Sequence, residues 1–183
     1  MIPSEGDALA LHKKHGSSER VVRHCQAVAR VAKMLADGFE RKGVGVDTKA
    51  VVVAALLHDL GRSRIQTVRH GVEGAGIIER EGVDRKVVEI VRKHVGAGLS
   101  PDEAKALGLP DLDYIPRTLE ERIVCFADKM VDSETVRPFE GEVRRFTVKK
   151  HDVRRLLALE KGLRDELGQD PGKLVLDKVK ESH

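Results

Sequence analysis

The 183-residue chain has no asparagine and no tryptophan, and Phe, Tyr and Trp together make up only 3% of it. So few rings leave little material for the base-stacking surface that holds single-stranded nucleic acid. No apolar run approaches the ~20 residues of a membrane-spanning helix, and the first residues show no signal-peptide pattern. A cytoplasmic location with no membrane partner is therefore expected. There are only two cysteines, Cys25 and Cys125, each on an apolar helical face. They are expected as small buried thiols, and a disulfide between them does not suit a reducing compartment. The net charge of +3 weakly favours anionic ligands, but it is too small and too dispersed for specific nucleic-acid binding. Glu, Lys, Arg and Val are abundant, a bias common in thermophile proteins.

What is present is a soluble globular composition, 40% hydrophobic and 34% charged, at a length that suits one domain. The chain is organised around Val51-Val52-Val53-Ala54-Ala55-Leu56-Leu57-His58-Asp59-Leu60-Gly61-Arg62. Asp47 or Thr48 can cap this run and Gly61 can stop it, so length and punctuation favour a helix over a strand. A helix apolar on all sides is normally enclosed by others. An imidazole and a carboxylate at its end are costly to bury unless something binds them, and a metal cation could.

In chain order, the spacing predicts a short helix over 5–15 closed by Gly16, then a long helix to about Lys42 capped by Ser17 or Ser18. Helices follow from about His70 to Arg80, where Gly74, Ala75 and Gly76 suit close approach, and from Asp84 to about Val95. Ser100-Pro101-Asp102-Glu103 and Thr118-Leu119-Glu120-Glu121 are capping boxes. The second opens a helix expected to run to about Thr135. Pro138 and Gly141 are expected to make a turn, followed by helices over roughly 149–167 and 171–180. Nothing reads as strand, and the fold class is all-α.

Six polar residues fall on otherwise buried helical faces: His24, His58, Asp59, His70, His94 and Asp128. His12, His15, His151 and His183 lie on charged or terminal stretches and are expected in solvent. An isolated histidine, an adjacent His-Asp pair, two later histidines and a late aspartate form an ordered set. This set resembles the HD-domain metal-dependent phosphohydrolases. His58-Asp59-Leu60-Gly61-Arg62 is close to the His-Asp-Ile-Gly-Lys form of one subgroup. The resemblance covers roughly 17–137, with an N-terminal helix at 1–16 and C-terminal helices at 138–183 packed on the same domain.

The resemblance implies a helical HD fold with a metal site at its centre. His24, His58, Asp59 and Asp128 would hold a first metal, and Asp59 would bridge to a second held by His70 and His94. His70, which follows a loop, could instead contact a phosphate. Imidazole and carboxylate donors suit one or two ions of Mn, Fe, Ni, Co or Zn. Asp59 would orient the attacking water, and Arg62 would hold a substrate phosphate, with Arg69, Lys129 and Arg137 as further phosphate candidates and Arg64 and Lys93 behind them. The expected substrate is a phosphate ester or anhydride of a nucleotide or similar small molecule, and a homodimer stays open. The loop from Gly96 to Arg117, with Tyr114, is the expected wall or lid of the pocket. Two alternatives remain: a di-iron oxygenase of the same superfamily, and a non-catalytic nucleotide-binding regulatory module.

Overall fold

In a computed structural model, residues 1–149 and 152–181 are described. Ten α-helices occur among them: α1 (Glu5–His15), α2 (Glu19–Arg41), α3 (Thr48–Leu57), α4 (His70–Arg80), α5 (Arg85–Lys93), α6 (Pro101–Ala106), α7 (Leu119–Lys129), α8 (Phe139–Val148), α9 (Val153–Leu167) and α10 (Pro171–Glu181). A 3₁₀ turn spans Leu60–Ser63, and two short strands, β1 (Val131–Asp132) and β2 (Thr135–Val136), pair antiparallel. The fold is all-α, as its periodicity implies.

The apolar run from Val51 forms the centre. Asp47 caps α3 by accepting from the Ala50 N–H, and every residue from Ala50 to Leu57 is buried. The helices α1, α2, α5 and α7 pack around it, so an apolar helix on all sides is satisfied on all sides. One core cluster runs from Ala8 to Val175, and α9 and α10 contribute Leu156, Leu163, Leu167 and Val175 to it.

Gly61 does not stop a helix as expected; it lets two backbones touch. A β-carbon there would overlap the His70 carbonyl oxygen and the Gly74 nitrogen. Only glycine allows α4 to start this close to the end of the His-Asp segment. Gly71 does the same on the other side, where a β-carbon would meet Val95 Cγ2 at 2.8 Å and His94 Cε1 at 3.6 Å. Of the small residues expected to give close approach, Gly74 does so against Gly61, whereas at Gly76 a β-carbon would meet only Arg80.

Several expectations need correction. Helix α7 ends at Lys129 instead of about Thr135, because the chain turns into the β1–β2 hairpin with Ser133 at φ 56 and Arg137 N–H donating to the Met130 carbonyl at 2.7 Å. Pro138 and Gly141 do not make a turn but open α8. Pro138 stands at the N-cap, and Phe139, Val143 and Phe146 recur at helical spacing, with Phe139 and Phe146 buried. Helix α9 begins at Val153, capped by Asp152, four residues later than expected. His12 is buried and His15 half-buried, the latter 2.8 Å from Glu81. His151 and His183 lie outside the described residues. No helix among the described residues is long and apolar enough to cross a membrane. Both cysteines are free and buried.

Candidate metal centre

Five segments bring six polar side chains to one place. His24 projects from the first half of α2, His58 is the C-cap of α3, Asp59 follows it, His70 opens α4, His94 caps the end of α5, and Asp128 lies in the last turn of α7. They converge beside a cavity of about 620 Å³, which all of them line except the wholly buried His58.

The four imidazoles are held alike. Each Nδ1 lies against a backbone carbonyl: His24 on Ser133 at 2.8 Å, His58 on Ala55, His70 on Thr67 and His94 on Val91, each of these three at 2.7 Å. A carbonyl only accepts, so every Nδ1 carries the proton. Every Nε2 lone pair is then turned into the cluster, the second-shell arrangement that orients histidine ligands to metals.

Those lone pairs face other acceptors. His70 Nε2 and His94 Nε2 stand 2.9 Å apart, and His24 Nε2 is 3.2 Å from Asp128 Oδ1. His58 Nε2 and Asp59 Oδ1 are buried with no hydrogen-bond partner. Acceptors set against acceptors in a buried site are satisfied by a cation among them, a metal ion or a proton on one of the imidazoles. The donor atoms form two groups, His24–His58–Asp59 and Asp59–His70–His94, with the atoms of each group within 4.8 Å of one another. Asp59 is common to both. Its Oδ1 is 3.1 Å from His70 and 3.6 Å from His94, whereas Oδ2 is 3.9 Å from His24 and 3.8 Å from His58. Asp128 Oδ1 stands beside the first group, 3.2 Å from His24 Nε2 and 3.5 Å from His58 Nε2. Nitrogen and oxygen donors in this number fit borderline divalent ions.

The electrostatics divide the imidazoles from the carboxylates: burial opposes charge on His58 and His24, but Cys25, Asp59 and Asp128 raise His58 well above the ordinary imidazole value, and Asp128 raises His24. Burial opposes charge on Asp59, but His58, His70 and His94 outweigh it and hold the carboxyl well below the usual range. Burial is likewise overcome at Asp128 by Lys129, His24 and His58, and its pKa also lies well below the ordinary value. Burial dominates at His94 and pushes it down to about 4, so that imidazole stays neutral, as a ligand must.

The cationic candidates separate clearly. Arg62 lines the cavity and donates from Nε to Asp59 Oδ2 at 2.6 Å. Lys129 lines it too, with Nζ 2.5 Å from Asp128 Oδ2. Neither Arg69 nor Arg137 is on the wall: Arg69 donates to the Gly108 carbonyl at 2.8 Å, and Arg137 is exposed beyond the hairpin. Arg64 is exposed, and Lys93 is buried against Glu121 at 2.9 Å. The loop expected as a lid is mostly elsewhere. Within it Gly96 lines the cavity, next to Val95 just before the loop, but Tyr114 is buried in a separate small cluster with Ala104 and Leu109.

Three relevant residues were not foreseen. Arg20 and Arg145 also line the cavity. Arg20 sits four residues before His24, a spacing that places both on one helix face and could have revealed it. Arg145 belongs to α8, so the sequence offered no frame for it. The third is His12, whose Nε2–H donates to the Leu56 carbonyl at 2.7 Å while Nδ1 accepts from Ser17 Oγ at 2.8 Å.

Comparison with known proteins then gives the family. The HD domain model matches residues 21–131. The chain belongs to the HD domain family. HD-family residues thus span all six side chains of the cluster, while Arg20, α1 and α8 lie outside the matched segment.

The chain is 38% identical over 172 residues to a tRNA (cytidine(56)-2'-O)-methyltransferase of Thermoplasma volcanium, a match covering 93% of this chain and 49% of that protein. It is 37% identical over 135 residues to a protein of the same name from Picrophilus torridus, covering 74% of this chain and 38% of that one. The chain therefore spans half or less of these two relatives. An uncharacterized protein of Methanocaldococcus jannaschii is 48% identical over 118 residues, 64% of this chain and 70% of that protein. Among solved structures, the HD domain of the L. monocytogenes phosphodiesterase PgpH superposes with a TM-score of 0.60 at 18% identity, covering 94% of this chain and 99% of that domain. The same domain in complex with cyclic-di-AMP gives a TM-score of 0.53 at 19% identity, over 86% and 93%. Both likenesses are of fold.

Proposed function

We propose that this HD protein is a metal-dependent phosphohydrolase acting on a phosphate ester or anhydride of a nucleotide or similar small molecule. The observation that carries the reading is the set of four Nε2 lone pairs and two carboxylates turned on one another beside a cavity, with His58 Nε2 and Asp59 Oδ1 buried and unpartnered. When bound, a divalent ion supplies Lewis acidity toward phosphoryl oxygens and makes water acidic enough to attack near neutral pH. His24, His58, Asp59 and Asp128 would hold one ion, and Asp59, His70 and His94 a second.

The chain's own residues do the rest. Asp59, with one oxygen toward each group, would orient the attacking water. Arg62 engages Asp59 through Nε alone, so its other N–H groups can take a phosphate oxygen, and guanidinium is well shaped for that. Lys129 has donors beyond the one on Asp128 and would stabilise charge on the same phosphoryl group.

The methyltransferase name belongs to relatives of which more than half lies outside the match. The M. jannaschii relative has only 30% of its length outside. We therefore read the shared segment as a hydrolytic HD unit and assign methyl transfer in those relatives to the remainder.

The test is metal analysis of the purified chain beside an aryl-phosphate assay with added Mn, Ni, Co or Fe. One or two equivalents of metal and metal-dependent phosphate release are expected. Two equivalents of iron without phosphate release would replace hydrolysis with dioxygen chemistry, and no metal at all would leave a binding module.

A further inference from the structure

Among the described residues the cavity wall carries four cations, Arg20, Arg62, Lys129 and Arg145, against three carboxylates, Asp59, Asp128 and Asp132. They fall into an inner and an outer pair. Arg62 and Lys129 are at the floor, each bonded to a carboxylate of the centre. Arg145 comes from α8, beyond the segment that the family model matches, and Arg20 from the first turn of α2, one residue before that segment begins.

The outer pair is differently built. Arg145 is fixed by two bonds to the buried Glu142, Nε to Oε2 and Nη2 to Oε1, each 2.8 Å, which orients the guanidinium while leaving it more than half exposed. Arg20 is exposed and has no ion pair or hydrogen bond among the described residues. It lies four residues before His24, about 6 Å along the helix axis and on the same face. A free arginine over a cavity that already holds an anion-attracting floor is an available second anion contact.

Among the described residues the wall contains no Phe, Tyr or Trp and no ring other than the histidines, and Ser18, Gln66, Thr67 and Ser133 supply its neutral polar groups. Recognition by base stacking has no surface here. A volume of about 620 Å³ is far larger than one phosphate needs and falls in the range of whole small-molecule sites.

We infer that the cavity takes a small ligand with at least two phosphoryl groups, one held at the floor by Arg62 and Lys129 and a further one at the rim by Arg20 and Arg145. The ligand is read through its phosphates, with little discrimination between bases. This deepens the hydrolase reading and rests on it for the reacting phosphate, but the rim contacts require no metal.

The experiment is calorimetric binding to the metal-free full chain, using inorganic tripolyphosphate and orthophosphate as probes. Wild-type protein is expected to bind tripolyphosphate at least about tenfold tighter, the effect of one charge-assisted contact. Arg20→Ala should weaken tripolyphosphate about tenfold and bring the ratio toward one, and Arg145→Gln should do likewise. Because Arg20 supports no other residue, its variant remains folded if Arg145→Gln does not. Lys173→Ala, on the exposed face of α10, is the control for diffuse charge.

A wild-type ratio near one, an unchanged ratio in Arg20→Ala, or an equal loss in Lys173→Ala each overturns the rim site. A short RNA oligomer that displaces tripolyphosphate at far lower concentration overturns the small-ligand assignment. If the ratio behaves as expected while no metal and no phosphate release are found, the rim site stands and the hydrolase reading fails.

Discussion

The two halves of the centre, which share Asp59, are built by different means. His24, His58 and Asp128 come from helices distant in sequence, and the side chains of His24 and Asp128 remain 16% exposed toward the cavity. His24 is also tied to the tip of the β1–β2 hairpin through the Ser133 carbonyl. His70 and His94 are nearly closed off, at 5% and 2%. They sit at helix termini that meet only because Gly61, Gly71 and Gly74 let backbones approach. One half is set by the packing of long helices around α3 and can adjust with them. The other is set by backbone contact and has little room to move. Both halves reach the cavity wall, the first through His24 and Asp128 beside Lys129 and the second through His70 and His94, while His58 is wholly buried behind them.

Asp59 tests the comparison at its joint. Asp59→Ala removes the one carboxylate both halves use and also releases Arg62 from its ion pair. Loss of one second-shell partner costs about 10–100-fold in metal affinity, so loss of a shared ligand is expected to exceed that at both positions. Metal content after dialysis should fall near zero, and metal-dependent phosphate release should fall with it. A variant that retains a full metal complement would show the two halves to be independent sites, or no site.

The six side chains of the cluster were legible because each is a polar residue at a helical spacing that otherwise buries apolar ones. Periodicity identifies such residues without knowing what lies opposite them. The same logic failed for His12. Helix α1 is flanked by Lys13 and Lys14 and has little apolar face, and His12 is buried only because α1 docks on the end of α3. The hairpin was hidden because Met130 and Val131 continue the apolar stripe of α7, whereas the turn is decided by Ser133 in a left-handed conformation. Helix α8 was hidden by Pro138 and Gly141, read as turn residues, although Pro is compatible with a helix start. Gly61 looked like a helix stop, and its real role is a contact with a segment nine residues later. Local signals found the elements; what glycines, hairpins and docked helices do to one another is tertiary.

A smaller effect separates the halves. His70→Ala removes an Nε2 from the closed half only. If two ions bind the wild type, the variant should retain one, with His24, His58, Asp59 and Asp128 still in place. The reciprocal His24→Ala should also retain one ion, but on the His70–His94 side. Metal titration followed by absorption spectroscopy with Co(II) as the probe would tell these apart, because the two remaining ions have different donor sets. Identical Co(II) spectra in the two variants would mean a single mixed site. Retention of two ions in His70→Ala would assign His70 to a phosphate contact instead.

The smallest expected effect reaches the adjustable half from behind. The Leu56 carbonyl is among the last acceptors of α3, the kind of group a helix end leaves without an intrahelical partner. His12 supplies that partner from α1, two residues before His58. Its other nitrogen accepts from Ser17, next to the Ser18 cap of α2. One buried imidazole thus ties α1 to the end of α3, just before His58, and to the turn that leads into α2, the helix of His24. His12→Ala leaves the Leu56 carbonyl unpaired and opens a cavity, at a cost of about 2–4 kcal/mol in unfolding free energy. Denaturant titration would measure it. If the His24–His58 half is adjustable, the variant should also lose metal affinity there while the ion on the His70–His94 side keeps its affinity. His12→Gln, whose side-chain amide can still donate to the Leu56 carbonyl, should recover part of both losses. Equal weakening of the two ions in His12→Ala would show that the halves move as one body.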